Sequence, residues 1–114
     1  MKTKVVHLNR KLVLEQRQRV ADGAGGFTEL WQPLGMLWGA IHAGAGRARA
    51  EDTVSVSSVP YRITVRASEE GAVSRPQPDQ RLREGGRIFS IYAVADHPEN
   101  AHYLICHTRQ EVVT

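Results

Sequence analysis

Tyr61-Arg62-Ile63-Thr64-Val65-Arg66-Ala67 is the stretch whose reading decides the fold. Tyr61, Ile63, Val65 and Ala67 alternate with Arg62, Thr64 and Arg66, the period of two expected of a strand with one face in a core and the other in water. Pro60 marks its start, and Ser68-Glu69-Glu70-Gly71 supplies a polar stop.

Toward the N-terminus, Leu12 and Leu14 alternate with Lys11, Val13 and Glu15, and Gln16-Arg17-Gln18-Arg19 continues to Val20. This predicts a first strand with an exposed end and a basic outer face. Asp22-Gly23-Ala24-Gly25-Gly26 is a turn, because glycine reaches positive φ at little steric cost. A second strand follows from Phe27 to about Trp31. Pro33 and Gly35 interrupt it, and Met36 to Ala43 reads as a buried strand or as a strongly bent continuation of the same one. Residues 43–59 are rich in Gly, Ala and Ser and predict a long loop, with one short helical turn near Ala48 to Asp52. Met1 to His7 reads as a flexible arm.

Toward the C-terminus, residues 69–79 contain Pro76 and Pro78 and predict irregular structure. Arg81-Leu82-Arg83 leads through a tight Glu84-Gly85-Gly86 connection into Arg87 to Val94. His97-Pro98-Glu99-Asn100 turns the chain, and His102 to Val112 returns as the last strand. Five or six short strands with hardly any helix predict an all-β fold, a small antiparallel barrel. Closure hides edge strands that so short a chain has little material to cover.

The chain has 114 residues, 41% of them apolar and 6% aromatic. That bounds it to one domain, since a chain of this size withdraws roughly 65% of its unfolded surface from water. A large enzyme with separate cofactor and substrate domains is excluded. The single Cys106 allows no intramolecular disulfide and no multi-cysteine zinc site, which suits a reducing compartment. The longest apolar stretch, Leu34 to Ile41, is too short to span a bilayer as a helix, and the polar N-terminus predicts a soluble chain without a classical export signal. Charge is unevenly placed. Residues 1–20 hold six cations and one carboxylate, a net of +5, whereas the other 94 residues hold nine and eleven, a net of −2. The basicity is therefore a local contact surface.

Chemistry-bearing residues are sparse. His102 and His107, spaced by five, point to opposite faces of a strand, so they and His97 and Cys106 make no metal site. Cys106 and His102 share a strand face but lie about 12 Å or more apart by strand rise, too far for a nucleophile and its base. Cys106 reads as a small buried hydrophobe. Neither Gly44-Ala45-Gly46-Arg47-Ala48-Arg49 nor Gly23-Ala24-Gly25-Gly26 completes a phosphate-cradling motif. The acids of Glu51-Asp52 and Glu69-Glu70 read as solvated. The expectation is a non-enzyme without cofactor or metal. A basic first strand on a small barrel also suits a monomeric nucleic-acid-binding module, but the aromatics are expected mostly in the core rather than in an exposed, cation-interleaved cluster.

The order of pieces carries a resemblance. Leu8-Asn9-Arg10-Lys11-Leu12-Val13-Leu14-Glu15 is followed by a glycine turn, Phe27-Thr28-Glu29-Leu30-Trp31, Leu37-Trp38-Gly39-Ala40-Ile41, a small-residue loop, Tyr61 to Arg66, Gly86 to Val94, and Leu104-Ile105-Cys106. Over residues 8–112 this resembles the head-tail joining proteins of tailed bacteriophages, prophages and gene transfer agents, called head-tail adaptors, head closure proteins or stoppers.

The resemblance implies a barrel that assembles as a homo-oligomeric ring, a hexamer or dodecamer, in the neck of a virion built in the bacterial cytoplasm. A portal or adaptor protein lies above it and a tail terminator or tail tube protein below, and double-stranded DNA passes through the lumen without sequence-specific recognition. No membrane is involved. The loop between the second and third strands, with Gly44, Gly46, Arg47, Arg49, Glu51 and Asp52, is implied to face the channel and help retain DNA. The basic segment Lys2, Lys4, Arg10 and Lys11 is expected to dock on a protein partner, since a channel that lets DNA slide is poorly served by many gripping cations. Arg62, Arg66, Arg81, Arg83 and Arg87 are expected at contacts between subunits of a head-to-tail ring. The Pro33-Leu34-Gly35-Met36 insertion and the longer N-terminal arm depart from the family pattern.

Overall fold

In the computed structural model, residues 6–44 and 57–112 are described. Six antiparallel strands form a closed barrel: β1 (Arg10–Ala21), β2 (Phe27–Ala43), β3 (Ser57–Arg66), β4 (Arg81–Glu84), β5 (Arg87–Asp96) and β6 (Tyr103–Val112). Their order around the barrel is β1-β2-β3-β6-β5-β4, and β4 closes it on β1 through Val13↔Arg83, Leu14↔Leu82 and Glu15↔Arg81. No helix occurs among the described residues, so none there is long and apolar enough to cross a membrane.

The inward residues are those the alternation selects. Leu12, Leu14, Ile63, Val65, Leu82, Phe89, Ile91, Leu104 and Cys106 form one core cluster, with Tyr61 and Leu37 packed against it. Phe89 is its largest member and meets Tyr61 edge to face, with ring centroids 5.5 Å apart and planes at 87°. Thr108 is buried beside them, and its hydroxyl donates to the Tyr61 carbonyl at 3.1 Å, so this polar group is satisfied inside the barrel. Gly39 lies where a Cβ would stand 2.8 Å from Leu12 Cδ1 and 3.2 Å from Ile63 Cγ2, so β2 crosses the core there only without a side chain.

Several expectations are refined. Phe27 to Ala43 is one strand, the bent continuation: the register steps from Leu14↔Gly35 to Glu15↔Pro33, leaving Leu34 unpaired in a bulge that accommodates the proline. Arg81–Glu84 is a strand of its own, and it is the element that closes the barrel. At the loop expected over residues 43–59, Ala43 ends β2 and β3 begins already at Ser57; residues 45–56, with the expected helical turn, lie outside the described residues. Of the expected N-terminal arm, residues 1–5 also lie outside them.

The strands differ greatly in length, and this shapes the surface. β3 covers β2 only from Gly39 to Ala43, and β4 covers β1 only from Val13 to Glu15. Beyond those points β1 and β2 pair only with each other among the described residues, from Gln16↔Gln32 to Ala21↔Phe27. A two-stranded hairpin therefore projects from the barrel by six residue pairs, about 20 Å at the ordinary strand rise. Its turn is held by the Asp22 carboxylate, which accepts from the backbone N–H of Ala24 at 2.8 Å and Gly26 at 3.0 Å, while Gly23 and Gly25 take φ of 82° and 85°. Those two backbone hydrogen bonds hold the Asp22 carboxyl below its usual range.

Candidate functional site

The surface with the most chemistry is the outer face of β1, β2 and β4, continued onto the hairpin. Glu15 sits at its centre. Although it falls in the outward register of β1, its residue is only 4% exposed, because Arg81 and Arg83 of β4 close over it. Arg81 Nε donates to Oε1 at 2.7 Å and Arg83 Nε to Oε2 at 3.1 Å. Burial pushes the Glu15 carboxyl up, but the two guanidinium groups outweigh it and hold it below the usual carboxylate range. The expected basic outer face of β1 is thus corrected at this position: its buried carboxylate anchors the short closing strand.

From this anchor a ladder of cations and aromatic rings runs onto the hairpin. The guanidinium carbon of Arg81 lies 4.1 Å from the centroid of the Trp31 ring and that of Arg17 5.2 Å from it. Arg19 lies 4.4 Å from Phe27, and Arg17 approaches Glu29 at 3.7 Å. The antiparallel register produces this: Arg17↔Trp31, Arg19↔Glu29 and Ala21↔Phe27 are direct pairs on one face. The expectation that the aromatics fill the core and make no cation-interleaved cluster is overturned. Phe89 alone among the aromatics is fully buried, whereas Trp38, in the outward register beside Lys11, is 50% exposed and Phe27, on the part of the ribbon that pairs with no third strand among the described residues, is 62% exposed.

A second ion-pair group lies at the β4–β5 turn. Arg10 makes a bidentate pair with Glu84 at 2.6 and 2.5 Å, and Arg87 stands 3.5 Å from the same carboxylate. The Arg10 hydrogen bond is the main cause holding Glu84 below its usual range and raising Arg10. Arg87 also donates to Gln110 Oε1 at 3.2 Å. Of the arginines expected at subunit contacts, Arg81, Arg83 and Arg87 therefore engage carboxylates of their own chain. Arg62 and Arg66 are exposed and make no ion pair among the described residues. Of the expected docking residues, Arg10 is held by Glu84, Lys11 is exposed, and Lys2 and Lys4 lie outside the described residues. Of the expected channel-facing residues only Gly44 is described, its N–H donating to the Pro60 carbonyl at 2.9 Å; Gly46, Arg47, Arg49, Glu51 and Asp52 are outside.

The residues weighed for catalysis are not assembled. Cys106 is wholly buried, and burial pushes its thiol up to about 12, while His102 lies in the turn before β6. No group of His, Cys, Asp and Glu side chains among the described residues is placed to hold a metal. A groove of about 600 Å³ opens between the segment before β1 and the outer face of β2, β3 and β6; Arg10, Arg62, His7, His42 and His97 are among the residues that line it.

The fold is thus a small closed all-β barrel whose described surface carries structural ion pairs and a projecting two-stranded ribbon. The chain belongs to the phage head completion protein family, whose model matches residues 3–111. This is a family of structural phage head proteins, not of enzymes. Among solved structures, a chain of the virion of a native gene transfer agent (GTA) particle is 53% identical, with a TM-score of 0.78 over 95% of this chain and 98% of that one. Protein SF1141 from Shigella flexneri 2a shares the fold at 15% identity, with a TM-score of 0.66 over 95% of this chain and 96% of that one. No curated protein matches. The resemblance read from the order of the strands is borne out by the family match.

Proposed function

We propose that this chain closes the filled head of a phage-like particle as a single-domain, ring-forming stopper or adaptor in the neck. The observation that carries the reading is the 53% identity, over nearly the full length of both chains, to a component of a GTA virion. In this role the ring prolongs the portal channel, helps retain packaged DNA and offers its far side to the tail. A barrel of this size builds a channel wall only by repetition, and a closed cyclic assembly uses two different patches on each subunit.

Residues 43–59, with Gly44, Gly46, Arg47, Arg49, Glu51 and Asp52, are the segment proposed to face the channel; small residues let identical loops crowd around an axis. Lys2, Lys4 and Lys11 dock on the portal or adaptor, and Arg62 and Arg66 serve contacts between subunits. Arg10, Arg81, Arg83 and Arg87 instead hold the barrel together, given their partners within the chain. The test is production of particles from cells lacking the protein. The expected result is filled heads that lose DNA and carry no tails, restored by the full chain. Variants shortened between Gly44 and Ser58 should still fold and join heads but leak DNA. Normal DNA retention and normal tailing without the protein would refute the reading.

A further inference from the structure

Past its base, where Arg81 and residues 71–80 lie beside it, the projecting hairpin pairs with no third strand among the described residues. Both of its backbone edges are unpaired beyond Glu15 and before Gly39 among the described residues, and both faces carry exposed apolar side chains: Phe27 (62%) on one, Leu30 (51%) and Val20 (38%) on the other. An isolated two-stranded ribbon is marginal in water, and such a surface is stable when another element lies against it. Its outward face, with the adjoining barrel, is cationic: Lys11, Arg17, Arg19, Arg81 and Arg83 stand against only Glu15 and Glu29.

Across the ring of strands, the same end of the barrel carries a carboxylate-rich edge. β3 and β6 lie across the ring of strands from β1 and β4. At their upper ends the Ala67 N–H donates to the His102 carbonyl at 2.8 Å and the His97 N–H to the Tyr103 carbonyl at 3.1 Å, which brings the segment after β3 beside the β5–β6 turn. Glu69 and Glu70 from the first and Asp96 and Glu99 from the second are all exposed there and make no ion pair among the described residues. Arg66 and Arg75 border this edge, and the Arg75 guanidinium is turned onto the Ser68 carbonyl at 2.6 Å, so carboxylates are in excess.

We infer that the β1–β2 hairpin of one copy lies against the acidic β3/β5–β6 edge of the next, making the head-to-tail contact that closes the ring. The inference rests on the ring reading of the preceding subsection and names its interface. The occupant is a second copy of this chain because the two patches are complementary in charge and are different surfaces of one subunit, as a heterologous cyclic contact requires.

The test is a charge reversal with rescue, read as copies of the chain taken up per protein-deficient head, counted by quantitative mass spectrometry. Arg17→Glu/Arg19→Glu sets acid against acid, and Glu69→Lys/Glu70→Lys sets base against base; each should lower the copies about tenfold or more, as like charges in an interface cost several kcal/mol. All four residues are exposed, so the variants fold, which far-ultraviolet circular dichroism verifies. The chain carrying all four substitutions should recover to within about twofold of wild type, since the attraction is restored with its sign inverted. Either reversal leaving the copy number unchanged overturns the pairing. So does a hairpin reversal that the fourfold chain does not rescue, which would place the hairpin on some other partner, the DNA backbone included. A wild-type chain that adds no copies at all overturns the head-closure reading itself.

Discussion

Replacing Glu15 by Gln removes the one buried carboxylate among the described residues and leaves the side chain's size almost unchanged. The wild-type oxygens accept two guanidinium hydrogen bonds, at 2.7 and 3.1 Å, and hydrogen bonds to charged groups each stabilise a fold by about 1.5–3 kcal/mol. Glutamine keeps one acceptor and turns an amide donor toward a guanidinium donor. The full sum is not lost, because the Arg81 and Arg83 side chains are 18% and 37% exposed and regain water. A destabilisation of about 2–3 kcal/mol follows, or a fall in Tm of roughly 10 °C for a domain of this size. Urea unfolding followed by tryptophan fluorescence measures it, with Trp31 reporting directly on the Arg81 contact.

The pH dependence supplies an internal control. Glu15 is held below its ordinary value of 4.5 in the folded chain, so its ionised form stabilises the fold fully above that value, and the contribution is lost as pH falls through the lower folded value. The gap between wild type and Glu15→Gln should be widest at neutral pH and close below about pH 4.5. A cost under about 0.5 kcal/mol, or a gap that persists unchanged at acid pH, would refute the assignment of Glu15 as the electrostatic anchor of β4.

Three further outcomes follow from the packing. Phe89→Ala should destabilise by about 3–5 kcal/mol in the same urea assay, as it empties the space of the largest fully buried side chain among the described residues. Gly39→Val should cost about 1–3 kcal/mol or more, because its Cβ already meets Leu12 at 2.8 Å, whereas Gly86→Ala, with nothing near its Cβ, should be mild by comparison. Cys106 should resist alkylation at pH 8 in the folded chain and react at the rate of a free thiol in urea; rapid labelling of native protein would contradict its burial and raised pKa.

The barrel is legible in the sequence because its core strands alternate cleanly: Ile63, Val65, Leu12 and Leu14 are all buried where a period of two places them. The closing strand is harder to see. Arg81-Leu82-Arg83-Glu84 offers a single apolar side chain, and what makes it a strand is pairing with Val13 to Glu15, almost 70 residues away in the chain. The misread aromatics have a related cause. Phe27 and Trp31 look like core residues by composition, and only the lengths of β3 and β4 determine that no third strand among the described residues runs beside them. One signal was available: a hairpin centred on Ala24 sets Arg17 opposite Trp31 and Arg19 opposite Glu29, so the cation-aromatic face can be written from the turn alone. The two ion-pair nodes were legible only as charges, since which arginine meets which carboxylate depends on strand register around the closed sheet.

The most direct test of the central claim is cryo-electron microscopy of the neck of particles assembled with this chain. The expected result is a closed ring of identical six-stranded barrels coaxial with the portal channel, placed between portal and tail. Particles whose neck contains no copy of the barrel, or contains it away from the channel axis, would contradict it.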